Sequence, residues 1–195
     1  KTYDGSRTAT VSASSSDIVT GDAVTISHSS ATFADKNVGT GTVSISGISL
    51  SGTDATNYTL SNSSTTATAD ITVKSISANY TANNKSYDGT DVATVSGSLS
   101  GVVSGDTVTL ANTSATFADK NVGTGKTVTI SGLSLGGTHV GNYTLSNTSA
   151  TTTAAITAKS LTASYTASDK TYDGTTSATV VGSLNSVVSG DTVTL

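Results

Sequence analysis

The amino-acid sequence predicts an all-β protein, a tandem array of antiparallel β-sandwich units of Ig-like, Greek-key type, each about 85 residues long. Three observations lead to this prediction. Whole stretches of sequence recur at a fixed period, the composition favours strands and turns, and apolar residues alternate with polar ones in short runs. A β-grasp-like unit with a lost or shortened helix is the alternative architecture.

The most informative repeated feature is a tetrapeptide, Thr-Tyr-Asp-Gly or Ser-Tyr-Asp-Gly, which occurs three times. Its tyrosines, Tyr3, Tyr87 and Tyr172, are 84 and 85 residues apart. Because such self-similarity means that one structural unit is copied along the chain, the period gives the size of the unit. Two longer stretches recur within the period, SATFADKNVGTG at 30–41 and 114–125 and NYTLSN at 57–62 and 142–147.

The composition favours strands and argues against several classes of protein. The chain is 34% hydrophobic, Ser and Thr fill long segments, and Pro, Cys, Met, Trp and Glu are absent. Thr and Val favour strands, whereas Asp and Gly favour turns. A net charge of −4 with nine scattered basic residues gives no surface for nucleic acid. No apolar run is long enough to span a bilayer, so we expect a chain that is not membrane-spanning.

Period-2 alternation places the strands in order along each unit. In the second unit a first short strand is predicted between Val92 and Val95, and the next run covers residues 107–110. The segments between runs contain Asp-Gly, Ser-Gly-Asp, Val-Gly-Thr-Gly and Ser-Gly, which are turn sequences. The further pairs predicted to share a face are Ala115/Phe117, Val128/Ile130, Leu133/Leu135, Tyr143/Leu145 and Ala154/Ile156, with Val24/Ile26, Ala31/Phe33, Val43/Ile45, Ile48/Leu50, Tyr58/Leu60 and Ala69/Ile71 in the first unit.

The alternation changes phase at two places, which predict the boundaries between units. The alternation that includes Ile71 restarts out of phase at Ile76, and the same slip separates Ile156 from Leu161. Linkers of almost no length favour a stiff rod over beads on a string. The incomplete units predict either a longer array or completion by strand addition from neighbouring chains. The predicted units are 1–74, which lacks its first strand, 75–159, which is complete, and 160–195, the first part of a third unit.

Five blocks of sequence together resemble a known family. They are KxYDGT, SGDxVTL, FADKNVGTGKTVTISGLSL, NYTLS and AxITxKxL, in one order over essentially the whole chain. This order resembles the YDG and MBG-type β repeats of large bacterial surface proteins, especially filamentous-haemagglutinin-like adhesins and biofilm-matrix adhesins. The resemblance implies a secreted or surface-attached, extracellular stalk of many β-rich units without catalytic residues.

Repeated aspartates are the candidate metal ligands. Asp88, Asp106 and Asp119 recur in loop-like positions, and oxygen-rich loops can hold calcium. We interpret them instead as turn residues and predict no metal site, because an Asp beside Gly builds a turn and no D-x-D-x-D-G run is present. The counterparts in the first unit are Asp4, Asp22 and Asp35.

The tetrapeptide itself is interpreted as a structural signature, the turn that follows the first strand of each unit. Its tyrosine is expected to pack its ring on a sheet edge and to donate its hydroxyl to a backbone group. The alternative is a carbohydrate-stacking surface. The signature residues are Tyr3, Asp4 and Gly5, Tyr87, Asp88 and Gly89, and Tyr172, Asp173 and Gly174.

No constellation of residues supports catalysis or a cofactor. The chain has no Cys and no paired His, so the sequence offers no thiol nucleophile and no zinc site. His28 and His139 have Asn112 and Asp54 at the equivalent positions, so neither belongs to the repeated design.

We therefore expect a structural segment, not an enzyme, that projects a binding region or builds an extracellular filament. Its expected partners are neighbouring repeats of the same chain, with self-association possible through exposed edge strands. The alternative function is a multivalent module that binds host or matrix glycans or proteins weakly and acts by avidity.

Overall fold

The computed structural model describes all 195 residues and confirms the all-β prediction. The only helical segments are two short 3-10 turns, Ala55–Asn57 and Val140–Asn142. No helix has the length and apolar character that crossing a bilayer requires. The strands are β1 Thr25–Ser27, β2 Ser30–Phe33, β3 Gly39–Ser46, β4 Ser49–Ser51, β5 Ser64–Ile71, β6 Lys74–Ala82, β7 Lys85–Ser86, β8 Val95–Ser100, β9 Thr109–Ala111, β10 Ser114–Phe117, β11 Gly123–Ser131, β12 Ser134–Gly136, β13 Tyr143–Leu145, β14 Ser149–Thr157, β15 Thr162–Ala167 and β16 Val180–Asn185.

Most of the predicted alternating pairs lie in strands with the expected side chains inward. Phe117 in β10 and Val128 in β11, for example, are both buried. Two predictions are wrong. Tyr58 and Leu60 lie in no strand, because no other strand runs beside them to supply hydrogen bonds. Val92 forms only an isolated bridge, and the first strand of that region begins later, at β8.

Close packing divides the chain into two compact units, and each is discontinuous in sequence. This differs from the contiguous units 1–74, 75–159 and 160–195 that the repeat predicts. Each compact unit therefore draws residues from more than one sequence repeat. The first comprises Lys1–Ser77, Leu99–Thr109 and Leu135–Ser146, and the second comprises Ala78–Ser98, Leu110–Ser134 and Asn147–Leu195.

The first compact unit is built on the antiparallel sheet β2-β3-β5. Phe33 lies opposite Val43 in this sheet, so large apolar side chains of neighbouring strands share one face. Tyr3, Ile71 and Ile76 join them in a buried cluster. The second sequence repeat contributes Tyr143 to this cluster, together with the half-buried side chains of Leu99, Val102, Val103, Val108, Leu135 and Leu145.

The second compact unit repeats this register in the sheet β10-β11-β14-β7. Phe117 lies opposite Val128 and Ala115 opposite Ile130, as their counterparts do in the first unit. These side chains form a separate buried cluster with Ala93, Ala154 and Ile156. The hairpin β15-β16 also belongs to this unit, and the residues of β15 are all exposed.

A β-bulge accounts for the change of spacing from 84 to 85 residues between the motif tyrosines. The pairing of β11 with β14 shifts between Gly123 and Lys126, whereas β3 pairs with β5 without a shift. Lys126 is the residue that has no counterpart in the first repeat. Its Nζ lies 2.6 Å from Asp119 Oδ1, so the inserted side chain is held by an ion pair. The bulge absorbs the insertion, and the buried residues beyond it keep their register.

Two strand pairs are parallel, which corrects the prediction of purely antiparallel units. β7 runs parallel to β14, and β6 runs parallel to β13. In both pairs an early segment of a sequence repeat lies beside a late segment of the same repeat. Parallel neighbours need a long crossover connection, and the intervening strands of the repeat provide it.

Candidate functional site

The Tyr-Asp-Gly motif forms the same turn in each of its copies. In the second copy Lys85 Nζ lies 2.8 Å from Asp88 Oδ1, and the backbone N–H of Thr90 donates to that oxygen at 2.9 Å. Gly89 has a φ of +82°, a left-handed conformation that glycine adopts without steric cost. The lysine and the aspartate thus fix the turn from which the tyrosine side chain projects. The equivalent ion pairs Lys1–Asp4 and Lys170–Asp173 are both 2.7 Å long.

Tyr3 projects from its turn into a buried cluster with Asp106 and Tyr143, all within the first compact unit. The Tyr3 hydroxyl donates to Asp106 Oδ2 at 2.8 Å, and the Tyr143 hydroxyl donates to the same oxygen at 2.5 Å. The two rings meet edge to face with centroids 5.5 Å apart. Tyr3 is 0% exposed, and the Asp106 side chain is 3% exposed. Two phenol donors therefore satisfy one buried carboxylate through charge-assisted hydrogen bonds.

Asn142 adds a second set of hydrogen bonds beside the carboxylate. Its Oδ1 accepts the backbone N–H of Val38 at 2.9 Å, and its Nδ2 donates to Asn37 Oδ1 at 3.0 Å. Asn142 is buried, and pairing both ends of its amide removes the cost of burying them unpaired. The Tyr143 hydroxyl also accepts the backbone N–H of Val103, at 3.0 Å.

Lys36 and His139 lie at the other oxygen of the Asp106 carboxylate. Lys36 Nζ and His139 Nε2 are each 3.9 Å from Asp106 Oδ1. Burial by itself raises the pKa of Asp106, but the hydrogen bonds from the two tyrosines and the nearby His139 and Lys36 outweigh it. The net pKa of Asp106 is therefore lowered, and the carboxylate is ionised at neutral pH.

The cluster gathers four repeated motifs from two sequence repeats. Tyr3 of Tyr-Asp-Gly and Asn37 of FADKNV come from the first repeat, whereas Asp106 of SGD and Tyr143 of NYTL come from the second. The stretches that recur along the sequence are thus the ones that meet in space. We call the group Tyr3, Asn37, Asp106, Asn142 and Tyr143 the junction cluster.

The three motif tyrosines differ in how much of the following repeat surrounds them. Tyr3 touches both the SGD aspartate and the NYTL tyrosine of the next repeat and is fully buried. The Tyr87 hydroxyl donates to Asp191 of the next SGD at 3.1 Å, and Tyr87 is half-buried. Tyr172 makes neither contact and is 93% exposed. A motif tyrosine is therefore more deeply buried the more contacts it makes with the next repeat.

Comparison with known protein families matches the repeated segments directly. A family model described as YDG domain matches residues 1–69 and 70–154. The chain belongs to the YDG domain family. The junction cluster joins the two YDG segments, since Tyr3 lies in one and Asp106 and Tyr143 lie in the other. No curated protein and no solved structure matches the chain significantly.

Each aspartate that we considered as a calcium ligand in the YDG repeats has its own protein partners. Asp88 pairs with Lys85, Asp119 pairs with Lys126, and Asp106 accepts hydrogen bonds from two tyrosines. No group of three or more His, Cys, Asp or Glu side chains is placed to hold a metal ion. The calcium hypothesis stays untested, and the structure brings these aspartates together in no shared site.

The expected hydrogen bond from the YDG tyrosine to a backbone group is wrong. Tyr3 and Tyr87 donate instead to the carboxylates of Asp106 and Asp191, which lie 103 and 104 residues further along the chain. The sequence signal for this contact was the near-constant separation between each YDG motif and the SGD motif of the next repeat. It was missed because the partner of each tyrosine lies in the next repeat and not in its own.

His139 has a role that the sequence comparison concealed. Its Nδ1 accepts the backbone N–H of Thr107 at 2.9 Å, and in the first repeat Asp54 Oδ2 accepts the backbone N–H of Ala23 at 2.8 Å. Thr107 and Ala23 are equivalent positions. The histidine therefore replaces an aspartate as the acceptor of the same hydrogen bond. Because the residue types differ, the sequence alone did not show that the two positions share this role.

The junction cluster predicts that stability falls at both ends of the pH scale. The pKa of Asp106 is lowered in the folded chain, so its contribution is present above the unfolded value of about 3.9 and is lost as the pH falls through the folded value. Burial and then the bond to Asp106 raise the pKa of Tyr3, so its contribution is complete below about pH 10 and is lost as the pH rises through the folded value.

Urea unfolding midpoints measured across this range should form a plateau between about pH 5 and 9. The variant Tyr3→Phe should lose part of the alkaline fall, because one of the two buried phenols no longer titrates. An alkaline fall of unchanged size in that variant would show that Tyr3 does not titrate with folding.

Proposed function

We propose that the chain is a structural segment of a secreted or surface-attached bacterial adhesin, and that it holds a binding region away from the cell or forms the body of an extracellular filament. The observation that carries this proposal is the junction cluster. A tyrosine of one YDG repeat is completely buried in a cluster to which that repeat and the next both contribute, so adjacent repeats share one core. Repeats joined in this way transmit force through packed side chains and not through a linker.

The cellular setting is proposed from the composition and the resemblance to surface-protein repeats. A Ser/Thr-rich, acidic chain without cysteine needs no disulfide and remains well hydrated outside the cell. The blocks of sequence that are most similar between repeats are also the ones that contact the next repeat. The need to assemble therefore constrains their sequence. That is the expected pattern for a stalk, and we propose no catalytic role for it.

We further propose that each compact unit is a sandwich of Greek-key type, with the β-grasp-like arrangement as the alternative. The first unit supports this reading because apolar side chains from a three-stranded sheet pack against a second group from the following repeat. A β-sandwich requires two apolar faces that pack against each other and form one core. An experimental structure of a longer array would decide between the two by its strand order.

Solution scattering on arrays with increasing numbers of YDG repeats tests the structural role. The maximum dimension is expected to grow in proportion to the number of repeats, because each junction fixes its neighbours. A flexible string would instead grow roughly as the square root of the number. Arrays in which every aspartate equivalent to Asp106 is replaced by alanine serve as the control and should become more flexible. Square-root growth of the unmodified arrays would contradict the proposal.

The alternative function, weak multivalent binding of glycans or matrix proteins, must use another surface than the rings of Tyr3 and Tyr87. Tyr3 is buried, and Tyr87 is partly covered and bonded to Asp191, so neither ring is free to stack on a sugar within the array. A glycan array probed with this chain would detect such binding, and a positive signal lost in Tyr172→Ala would restore the stacking hypothesis.

A further inference from the structure

In the second repeat the first strands run parallel to the last ones. Strand β6 begins this repeat and pairs with β13, whereas β7 follows β6 and pairs with β14, the strand with which the repeat ends. We call β6–β13 and β7–β14 the terminal pairs. A pull along an array enters each repeat at the amino end of its first strand and leaves at the carboxyl end of its last strand. The terminal pairs therefore lie on the path of such a force.

The parallel direction of the terminal pairs decides how a force acts on them. Two parallel strands that are pulled from opposite ends slide past each other in opposite directions. Their hydrogen bonds run across the strands, so sliding stretches all the bonds of a pair together. Strands that are pulled from the same end separate one bond at a time instead. A pull from the two ends of the repeat consequently loads the terminal pairs in their more resistant direction.

Apolar packing and side-chain hydrogen bonds reinforce the β6–β13 pair. Ile76 lies opposite Leu145 and is buried, so sliding of β6 would take an apolar side chain out of its cluster. The backbone N–H of Ser146 donates to the Ile76 carbonyl at 2.9 Å. The Asn147 side chain accepts the Ala78 N–H at 3.1 Å and donates to the Ala78 carbonyl at 3.2 Å. One amide thus binds β6 beyond its last paired residue.

Side chains reinforce the β7–β14 pair in the same way. Asn84 Oδ1 accepts the backbone N–H of Ala155 at 2.7 Å, and the backbone N–H of Tyr87 donates to the Thr157 carbonyl at 2.8 Å. The Thr157 hydroxyl donates to the carbonyl oxygen of Lys85 at 3.3 Å. The Tyr-Asp-Gly turn follows directly, and the bonds from Lys85 Nζ fix the residues that come after β7.

The first repeat contains the equivalent of the β7–β14 pair at its own carboxyl end. Thr72 is the counterpart of Thr157, and its backbone N–H donates to the Lys1 carbonyl at 2.8 Å. The backbone N–H of Tyr3 donates to the Thr72 carbonyl at 2.9 Å. Thr2 and Thr72 form a parallel bridge, as β7 and β14 do. The parallel pairing of first and last segments therefore recurs with the repeat.

We propose that the terminal pairs make each repeat resistant to mechanical unfolding when the array is pulled along its length. The biological meaning of this inference rests on the proposed structural role, because a stalk that holds a bound particle in flowing liquid is under tension. Resistance to force is nevertheless a separate property from stiffness, since forced unfolding is governed by the unfolding rate. Along the chain the force reaches β6 first, and β7 bears it once β6 slides.

Single-molecule force spectroscopy on the 195-residue chain tests the direction of this resistance, with paired cysteines as attachment points because the chain has no cysteine of its own. Val73→Cys with Ala158→Cys pulls the second repeat from its two ends, at exposed positions that are one repeat apart. Val92→Cys with Ala158→Cys is the control. Val92 is exposed and follows β7, so β7 and β14 are then pulled from the same end. A several-fold higher unfolding force is expected for the first pair. An equal or lower force would overturn the proposal.

Side-chain variants pulled from positions 73 and 158 provide the second measurement. Asn147→Ala removes the bonds to β6 and should lower the unfolding force. Asn112→Ala is the matched control, because Asn147 and Asn112 each donate to the carbonyl oxygen two residues ahead, of Ser149 and Ser114, but Asn112 makes no bond to β6. Equal unfolding forces for the two variants would also overturn the proposal.

The force measurement and the scattering measurement have separate outcomes. Arrays that grow in proportion to their number of repeats, but unfold at equal forces in the two geometries, would overturn the role of the terminal pairs and leave the structural role standing. Arrays that grow as a flexible string, but unfold at a several-fold higher force when pulled end to end, would support the terminal pairs and contradict the rigid stalk.

Discussion

Replacing Tyr3 with alanine is expected to lower the free energy of unfolding of the first compact unit by about 3 to 5 kcal/mol. The ring is 0% exposed and packs against Tyr143, so its removal leaves a cavity in a core that two repeats build together. The loss also removes one of the two donors to the buried carboxylate of Asp106.

Tyr172→Ala is the matched control for this experiment. It removes the same residue type from the same motif, but the side chain is 93% exposed, so we expect a change within about 0.5 kcal/mol. Denaturant unfolding followed by circular dichroism measures both variants. Tyr3→Phe separates the ring from the hydroxyl and should cost about 1 to 2 kcal/mol. Equal effects of Tyr3→Ala and Tyr172→Ala would mean that the junction adds nothing to stability.

Replacing Asp106 with alanine is expected to destabilise the same unit by about 2 to 5 kcal/mol. The carboxylate accepts from two phenols, and its loss leaves both hydroxyls without their acceptor in a buried site. Lys36 and His139 lose their charged neighbour as well, although Lys36 is partly exposed and contributes little. Asp106→Asn keeps an acceptor oxygen and should recover part of the loss.

Asp191→Ala provides the comparison, because Asp191 is the SGD counterpart of Asp106 and accepts a bond from one motif tyrosine, Tyr87, which is only half-buried. We expect a smaller effect on its own compact unit. A double-mutant cycle between Tyr3→Phe and Asp106→Ala isolates the Tyr3–Asp106 interaction and should show a clear coupling energy. A coupling energy of zero would show that this hydrogen bond does not hold the two repeats together.

Much of the fold follows from local sequence pattern. The stretch SATFADKNVGTG encodes β2 or β10 through strict alternation, and Phe33 and Phe117 lie inward as that alternation predicts. The YDG turn is equally local, because a lysine, an aspartate and a left-handed glycine within a few residues determine it. Interactions of this range can be read from a single repeat.

The assembly of repeats could not be read in this way. The partner of Tyr3 is 103 residues away, and the compact units are out of phase with the sequence period. Tyr58–Leu60 and Tyr143–Leu145 belong to the same repeated motif, yet only the second forms a strand, because only it lies beside β6. Identical sequence thus takes two conformations according to its neighbours, and local patterns carry no information about neighbours.

The central claim, that the folding unit combines two repeats, is tested most directly by residue-resolved amide hydrogen exchange on Asp106→Ala in the 195-residue chain. Asp106 belongs to the second repeat by sequence but to the first compact unit by packing. The predicted result is lost protection in β3 and β5 of the first repeat, with β11 and β14 of the second repeat protected as in the wild type. Lost protection in β11 and β14, with β3 and β5 unchanged, would contradict the account and would mean that each sequence repeat folds by itself.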